Sequence, residues 1–585
     1  MNPSRIFPLS AETCAESKVH KVKKMKHKLY QLSISCIAIT CLAAQVHATS
    51  PAPAKTENTG AQSAPAPATS SAPAPAATGA AAAPKPPAPV STSSTFDTTK
   101  IPVVSIPSRP GAFLLPPTGP GYYSLWDLAT GNKREKPPVA PYAPFALLTT
   151  PSYDIDFRYM DTPGHEKDIF DPVKRIRFGD DWILSFGGNF WYRYTHETDS
   201  RLNAAGVNND FHLLRTRFHA DLWYRDKVRL FAEMLDARAF GSELSPLVTD
   251  RNHADILNLF TDIKLANINN GPVYIRFGRQ ELMYGSQRLI STLDWVNTRR
   301  TFQGVKAFWR SPEWDVDAFW TRPMIIEKGN LDNWDTQQNF FGLWATNKPK
   351  PGHTIDLYFL SLLNDNPVPT ANLLAGNLMQ GNSDVHTLGA RLAGNFDNFL
   401  YELEGMYQFG RRSGQDISAF AVATGVGYRF PVPMNPQGWI RYDFASGDGN
   451  NKDGKSNTFH QLFPFGHYYL GFLDRVGRQN MHDINAQFTL HPMPWLTVIT
   501  QYHRFYLAND RDFLYNAAGQ ATIRDLTGQS GGHIGDEFDF RFNFHVSRHQ
   551  DVLFGYSKMF SGRFLDKQRP GISPDLFYVQ YNFRF

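Results

Sequence analysis

From Ile176 to the last residue, apolar and polar positions alternate with period two. In Trp182 to Thr195, one face reads Trp182, Leu184, Phe186, Gly188, Phe190, Tyr192 and Tyr194; the other carries Ser185, Asn189 and Arg193. Between Phe399 and Phe409, Phe399, Tyr401, Leu403, Gly405, Tyr407 and Phe409 alternate with positions that include Glu402, Glu404 and Gln408. Phe538, Phe540, Phe542, Phe544 and Val546 alternate with Glu537, Asp539, Arg541, Asn543 and His545. The final stretch sets Phe577, Val579, Tyr581, Phe583 and Phe585 against Tyr578, Gln580, Asn582 and Arg584. Period two is a strand signal, because successive side chains leave a pleated backbone on opposite faces. About eighteen such strands fit between Ile176 and Phe585, at roughly 22 residues per strand with its turn. Asn269-Asn270-Gly271-Pro272 and Arg310-Ser311-Pro312 read as turns, and polar stretches near Phe240 to His253, Asn364 to Ser383 and Gly447 to Ser456 read as loops.

A soluble sandwich alternates too. Three features favour an antiparallel outer-membrane β-barrel, an all-β membrane fold. The apolar faces are aromatic at both ends, as an interfacial girdle requires. The opposite faces carry charges that suit water rather than a dry core. The chain closes on an alternating strand ending in Phe585, which resembles the terminal signal read by the outer-membrane barrel assembly machinery; Phe585 is therefore expected on the lipid face. Aromatic residues make up 14% of the chain, yet the mean hydropathy is −0.38 and no apolar run reaches 18 residues, which disfavours a helical membrane protein.

Upstream of the barrel the pattern changes. Lys21 to Lys28 form a basic region, Leu29 to Ala44 a short apolar core, and Val46-His47-Ala48 a small-residue cleavage site. Residues 1–48 thus read as an export signal cut after Ala48. Residues 49–97 are rich in Pro, Ala, Ser and Thr and read as a disordered spacer. Residues 98–175 hold aromatics among many prolines and read as a periplasmic extension or a plug-like segment, with residues 176–585 forming the barrel. Cys14, Cys36 and Cys41 all fall in the leader, so the exported chain lacks disulfides, thiolate chemistry and Cys-bound metals.

Charge alters the picture once the leader is set aside. Seven of 59 basic and two of 54 acidic residues lie in the first 48, leaving 52 of each sign. That balance gives no support to a nucleic-acid partner. Of the remaining basic residues 35 are Arg, the side chain that reads carboxylates and phosphates bidentately. An Arg facing lipid at the bilayer midplane costs about 2–4 kcal/mol, so the charged member of each alternating pair is expected inside. This places Arg193, Arg215, Arg217, Glu402, Glu404, Arg441, Asp443 and Arg541 inward. Arg276 and Arg279 are three apart, and a bulge near Gly278 would turn both inward. Glu233, Arg288, Arg299, Arg300 and Asp539 complete the candidate lining. Two readings stay open: a ladder of guanidinium groups for a passing anion, or Arg and acid pairs that stiffen the wall.

Several stretches resemble the alginate export family. Ile275-Arg276-Phe277-Gly278-Arg279-Gln280-Glu281-Leu282, running on through Tyr284-Gly285-Ser286-Gln287-Arg288 to Asp294-Trp295 and Asn297-Thr298-Arg299-Arg300, carries most of the likeness. Leu230-Phe231-Ala232-Glu233 with Asp236 and Arg238 is similar, as is Ala445-Ser446-Gly447-Asp448 leading to Leu462-Phe463-Pro464. The resemblance covers roughly residues 175 to 585. It implies an eighteen-stranded barrel with an Arg-rich lumen that passes an anionic polysaccharide out of the periplasm, with a periplasmic secretion scaffold as a partner. The alternative is an anion- or sugar-acid-selective diffusion porin for uptake.

Other motifs do not hold together. Gly449 to Ser456 matches G-x-x-x-x-G-K-S, but no helix can follow to meet a phosphate, since Asn457-Thr458-Phe459 leads to Pro464. Asp448, Asn450 and Asp453 partly match a calcium loop that Lys452 interrupts, so a solvated turn is expected. His165-Glu166 lacks the second His of a zinc protease, and His503 and His545 read as lumenal histidines rather than catalytic ones. No enzyme activity, cofactor or metal is expected.

Overall fold

The computed structural model describes residues 118–585 apart from 140, 143–148, 203–204, 370–379 and 451; the expected leader and spacer lie outside the described residues. Eighteen long strands follow one another up and down. The first six are β1 (Trp182–Thr198), β2 (Asn209–Tyr224), β3 (Val228–Phe240), β4 (Asn252–Ile268), β5 (Gly271–Gln280) and β6 (Phe302–Arg310). The next six are β7 (Trp314–Ile325), β8 (Gln338–Asn347), β9 (His353–Pro369), β10 (Gln380–Phe396), β11 (Phe399–Arg412) and β12 (Gln415–Arg429). The last are β13 (Gln437–Ala445), β14 (Met481–Met493), β15 (Leu496–Leu507), β16 (His533–Ser547), β17 (Gln550–Ser561) and β18 (Asp575–Arg584). Neighbours pair antiparallel, and β18 returns to β1 from Asn189↔Arg584 to Thr198↔Asp575. The result is a closed 18-stranded antiparallel β-barrel, which leaves no open edge and satisfies the backbone without water. No helix among the described residues is long and apolar enough to cross a membrane; strands do the crossing.

The polarity of a soluble protein is inverted. Phe218, Leu403 and Ile440 stand on the outer face at 58, 50 and 66% exposure, whereas Arg276, Arg391 and Glu233 inside are each 1% exposed. Alternation along each strand therefore sorts apolar side chains toward lipid and charged ones toward the lumen.

The two ends differ. At one, connections are short: Asn269 and Asn270, with φ of 47° and 60°, form the two-residue turn between β4 and β5 that a right-twisted hairpin favours. At the other, residues 241–251, 281–301, 446–480 and 508–532 form long connections. The segment assigned to a loop between Asn364 and Ser383 is partly strand, because Asn364↔Ser383 and Val368↔Gly381 still pair. Polar side chains do not prevent this, since the ladder bonds are made by backbone. The Gly447 to Ser456 loop is only the start of the 446–480 connection.

Connections 281–301 and 446–480 fold back into the lumen and zip together. Ser291 N–H donates to the Phe463 carbonyl at 3.0 Å, Phe463 N–H to Leu289 at 2.8 Å and Phe465 N–H to Gln287 at 2.9 Å. Leu289, Ile290, Phe465, Leu470 and Phe472 make their contact an apolar core inside a polar wall. Residues 149–158 enter from the short-turn end, and a short strand, Ile176–Phe178, then folds back on the start of β1.

The lumen as candidate functional site

The lining is built from inward positions of the alternating strands together with the 281–301 connection. Arg193, Arg215, Arg217, Arg441 and Arg541 are inward and buried, as are Glu233, Glu402, Glu404, Asp443 and Asp539. Arg276 is also inside, but Arg279 is not. No register break occurs at Gly278; the bulge lies on the neighbouring strand, where Glu233 faces Asn258 and Met234 faces Ile256, leaving Leu257 unpaired. Gly278 has φ +130° and its missing Cβ would meet the Leu259 carbonyl at 2.2 Å, so glycine is needed for close approach rather than for a bulge. Arg279 stays on the outer parity and pairs with Asp255 at 3.0 Å.

Most inward guanidinium groups are bound to carboxylates. Arg215 meets Asp294 at 2.8 Å, and Arg299 pairs with both Asp294 and Glu281. Burial on its own would raise the Asp294 carboxyl, but Arg299, Arg215 and Arg217 hold it at about 2. Arg217 faces Glu233 at 3.3 Å, and the Asn258 amide donates to Glu233 at 2.9 Å and to Glu281 at 3.2 Å. A second network joins the 281–301 connection to the far wall. Arg288 contacts Glu402 at 3.0 Å and Glu404 at 3.2 Å, while Arg391 bridges Glu402 at 2.7 Å and Asp356 at 2.8 Å. Arg478 holds Asp443 at 2.6 Å.

Four cations differ. Among the described residues no carboxylate lies within ion-pair distance of Arg193, Arg300, Arg441 or Arg541. The Arg193 guanidinium lies 3.7 Å from the Trp295 ring centroid and 4.9 Å from Trp191. Arg541 lies 3.3 Å from the Phe472 centroid and donates to Gln501. His467 stacks between Trp295 at 3.8 Å and Phe472 at 4.0 Å, so Arg193, Trp295, His467, Phe472 and Arg541 form a continuous pile. Arg441 donates to Gln487 at 3.0 Å over the Trp439 ring, and Arg300 donates to the Pro464 carbonyl at 3.2 Å. An aromatic face attracts a cation without neutralising it, so these groups keep their charge for another anion. Cavities beside the N-terminal segment measure about 40, 60 and 50 Å³, room for one or two waters each rather than a sugar ring.

The remaining candidates have ordinary settings. Asp539 accepts from Ser557 at 2.6 Å, and His503 bonds Asp483 at 2.9 Å and lies 3.7 Å from Asp539. His545 bonds Asp551 at 2.8 Å. Asn450 N–H donates to Asp448, Lys452 N–H to Asn450 and Lys455 N–H to Asp453, so the three oxygens of the suspected calcium loop cap their own turns instead of converging. Lys455–Ser456 then pairs as strand with Asp416–Ile417, not as the helix a P-loop needs. Phe585 exchanges two backbone bonds with Gly188, both 3.0 Å, and packs on Phe583 and Phe218 of the outer face. Sequence reading missed Arg229, Asp262, Asp356, Arg391 and Trp295 as lining residues. Strand parity was a usable signal for Asp356 and Arg391; nothing in the chain order marks Trp295 as a lumenal ring.

A family model described as alginate export matches residues 182–579. No curated protein sequence matches the chain. Solved structures similar in fold include three from Pseudomonas aeruginosa. OpdQ is 12% identical, with 69% of this chain and 97% of that one covered and a TM-score of 0.47. OpdO is 10% identical, covering 69% and 97%, with a TM-score of 0.46. The outer membrane protein OprD is 11% identical, covering 68% and 94%, with a TM-score of 0.43. The family match runs from the first barrel strand into the last, well over half of the sequence, and the chain belongs to the alginate export family.

Proposed function

We propose that this protein is an outer-membrane channel that carries an anionic polysaccharide from the periplasm to the cell exterior. The observation that carries the reading is the lining itself: Arg193, Arg441 and Arg541 point into the lumen, buried, without a carboxylate, beside Trp and Phe rings. A uronate polymer offers what such a lining recognises, carboxylates for guanidinium groups and flat sugar faces for aromatic rings. Fast passage needs stations strong enough to enter and weak enough to leave, and a cation without a fixed acid partner meets both demands. By the usual arrangement of such barrels, the short turns face the periplasm and the long connections the exterior.

The test is planar-bilayer recording of the purified full-length protein. Anion-selective conductance that falls on adding an oligouronate is expected, with a reversal potential that moves toward cations in Arg441→Glu and Arg541→Glu. Cation selectivity in the parent defeats the reading. Direction is tested in the host: deletion should trap polymer in the periplasm, whereas loss of growth on a small sugar acid points to uptake.

A further inference from the structure

The N-terminal segment makes an excursion that lies before the family match and outside the barrel pattern. Its two flanks meet one turn at the short-turn end. Tyr142 packs edge-on against His549 with centroids 6.0 Å apart, and Asp168 lies 2.8 Å from His549 Nε2 and 3.5 Å from Arg548. Between these anchors residues 149–158 dip into the lumen. The Ser152 hydroxyl donates to Glu233 at 2.9 Å and the Tyr153 hydroxyl to the Glu281 carbonyl at 2.6 Å. Arg229 donates to the Tyr153 carbonyl at 2.7 Å, and the Tyr153 ring stands edge-on to Phe231 and Phe260. Thr149 reaches Asp294, so the excursion touches the connection folded in from the opposite end.

Asp154 comes next in the chain. It shares one cavity with Lys306 and Arg310 and another with Arg229, and the Arg276 guanidinium lies 4.5 Å from the adjoining Tyr153 ring. In the wall, Arg229 and Arg276 are held by Asp221 and Asp262, and Lys306 and Arg310 share Asp317. Asp154 is therefore a carboxylate brought to this basic station by the segment, and one of its oxygens is buried with no hydrogen-bond partner. The segment is also mechanically separable. Backbone–backbone bonds of residues 149–158 are local, such as Asp154 N–H to the Pro151 carbonyl, and the wall closes through β18 and β1 without it. Because it enters and leaves by one end, it can withdraw without unthreading.

We infer that residues 149–158 are a displaceable plug, and that the Asp154 carboxylate occupies the station among Arg229, Arg276, Lys306 and Arg310 that a carboxylate of the cargo takes when the segment withdraws. The identity of that occupant rests on the polyanion reading; the plug does not. Burial leaves the Asp154 carboxyl above its ordinary range even though Arg276, Lys306 and Arg229 pull it down. The ionised group is thus seated at a cost, and a solvated polyanion can compete for the cations.

The test uses the full chain in planar bilayers, with heat-modifiability as the check that each barrel is folded. One variant replaces residues 149–158 by a Gly/Ser stretch of equal length; a second, Asp154→Lys, keeps the rest of the segment but sets a fifth cation against the station, so that repulsion drives the segment out. Both should raise conductance several-fold over the parent and lower the oligouronate concentration needed for block. A third, Ser152→Cys with Glu233→Cys bridged by a short bis-methanethiosulfonate, which forms a disulfide at each thiol and releases sulfinate, pins the plug; the chain holds no native Cys after Cys41. Bridging should abolish the residual conductance and reduction should restore it. Folded Gly/Ser and Asp154→Lys barrels that conduct like the parent overturn the plug, as does a bridged protein that conducts like the unbridged one. A rise in conductance without anion selectivity or oligouronate block keeps the plug and overturns the polyanion as its competitor.

Discussion

Two arcs of the same lumen use arginine in opposite ways. From β2 to β10 the inward strand Arg residues hold carboxylates, as Arg276 with Asp262 at 2.6 Å and Arg391 with Asp356 at 2.8 Å. From β13 round to β1, Arg441, Arg541 and Arg193 rest on Trp and Phe faces and amide oxygens. Both arcs look equally basic in composition. The difference is what happens when a guanidinium is removed. Removing Arg276 or Arg391 orphans a buried carboxylate, as would removing Arg478 or Arg584 on the other side of the barrel; removing Arg193, Arg441 or Arg541 orphans none. An Arg matched by its own wall carboxylate serves the wall, and an unpaired stacked Arg remains electrostatically open to a solute. Arg229, Arg276, Lys306 and Arg310 stand between, because four cations share the three carboxylates of Asp221, Asp262 and Asp317 and keep positive charge for a further anion.

The largest expected effect tests that division through stability. Asp262→Ala leaves the Arg276 guanidinium buried without its bidentate partner and should cost about 3–5 kcal/mol in urea unfolding from detergent or lipid. Arg541→Ala should cost far less, about 1–2 kcal/mol, since a cation–π contact and one amide bond are lost. Equal losses would break the comparison.

Selectivity should rank the other way. Arg441→Gln and Arg541→Gln together should shift the reversal potential toward cations by more than Arg215→Gln with Arg391→Gln, measured on folded barrels in matched salt gradients. A larger shift from the paired arc would show that its carboxylates leave net field in the path.

Sharper in position is Trp295→Phe. It keeps most of the buried volume but weakens the ring between Arg193 and His467, and should cost about 0.5–2 kcal/mol while weakening oligouronate block. Block unchanged in that variant would reduce the aromatic pile to packing alone.

The smallest effect concerns pH. Asp294 is held at about 2, below the ordinary carboxylate value, by Arg299, Arg215 and Arg217 against the cost of burial. Its contribution to the fold of the 281–301 connection is complete above roughly pH 4 and fades as pH falls toward 2. Protease accessibility of that connection should rise over that window in the parent and lose that pH dependence in Asp294→Asn. A transition near pH 5 or above would assign the change to another group.

Much of the barrel was legible in the chain. Gly405 between Leu403 and Tyr407 on one face, and Glu402 and Glu404 on the other, suffice to orient β11, because one misplaced parity would put two carboxylates in lipid. Arg276 and Arg279 mark where that logic stops. The alternation puts them on opposite faces, and assuming a bulge to bring Arg279 inside was wrong, since the bulge formed at Leu257 on the neighbouring strand. Local sequence carries no information about which of two paired strands absorbs an extra residue. The inward fold of 281–301 and 446–480 was equally hidden, because Trp295 and Phe463 read as loop residues until the two connections meet inside the wall.

What the sequence determined by itself was the strand period, the apolar face and the inward side of the charges. Each follows from one chain segment meeting lipid on one side and polar surroundings on the other, a condition every strand satisfies alone. Only the tertiary structure decided which Arg is neutralised and which is left on an aromatic ring. That choice depends on residues as far apart as Arg288 and Glu402, or Arg541 and Phe472. Such partners are selected by barrel closure, strand stagger and the packing of two long connections in one confined volume, and ion pairing at a few ångströms responds to that geometry rather than to the order of residues along the chain.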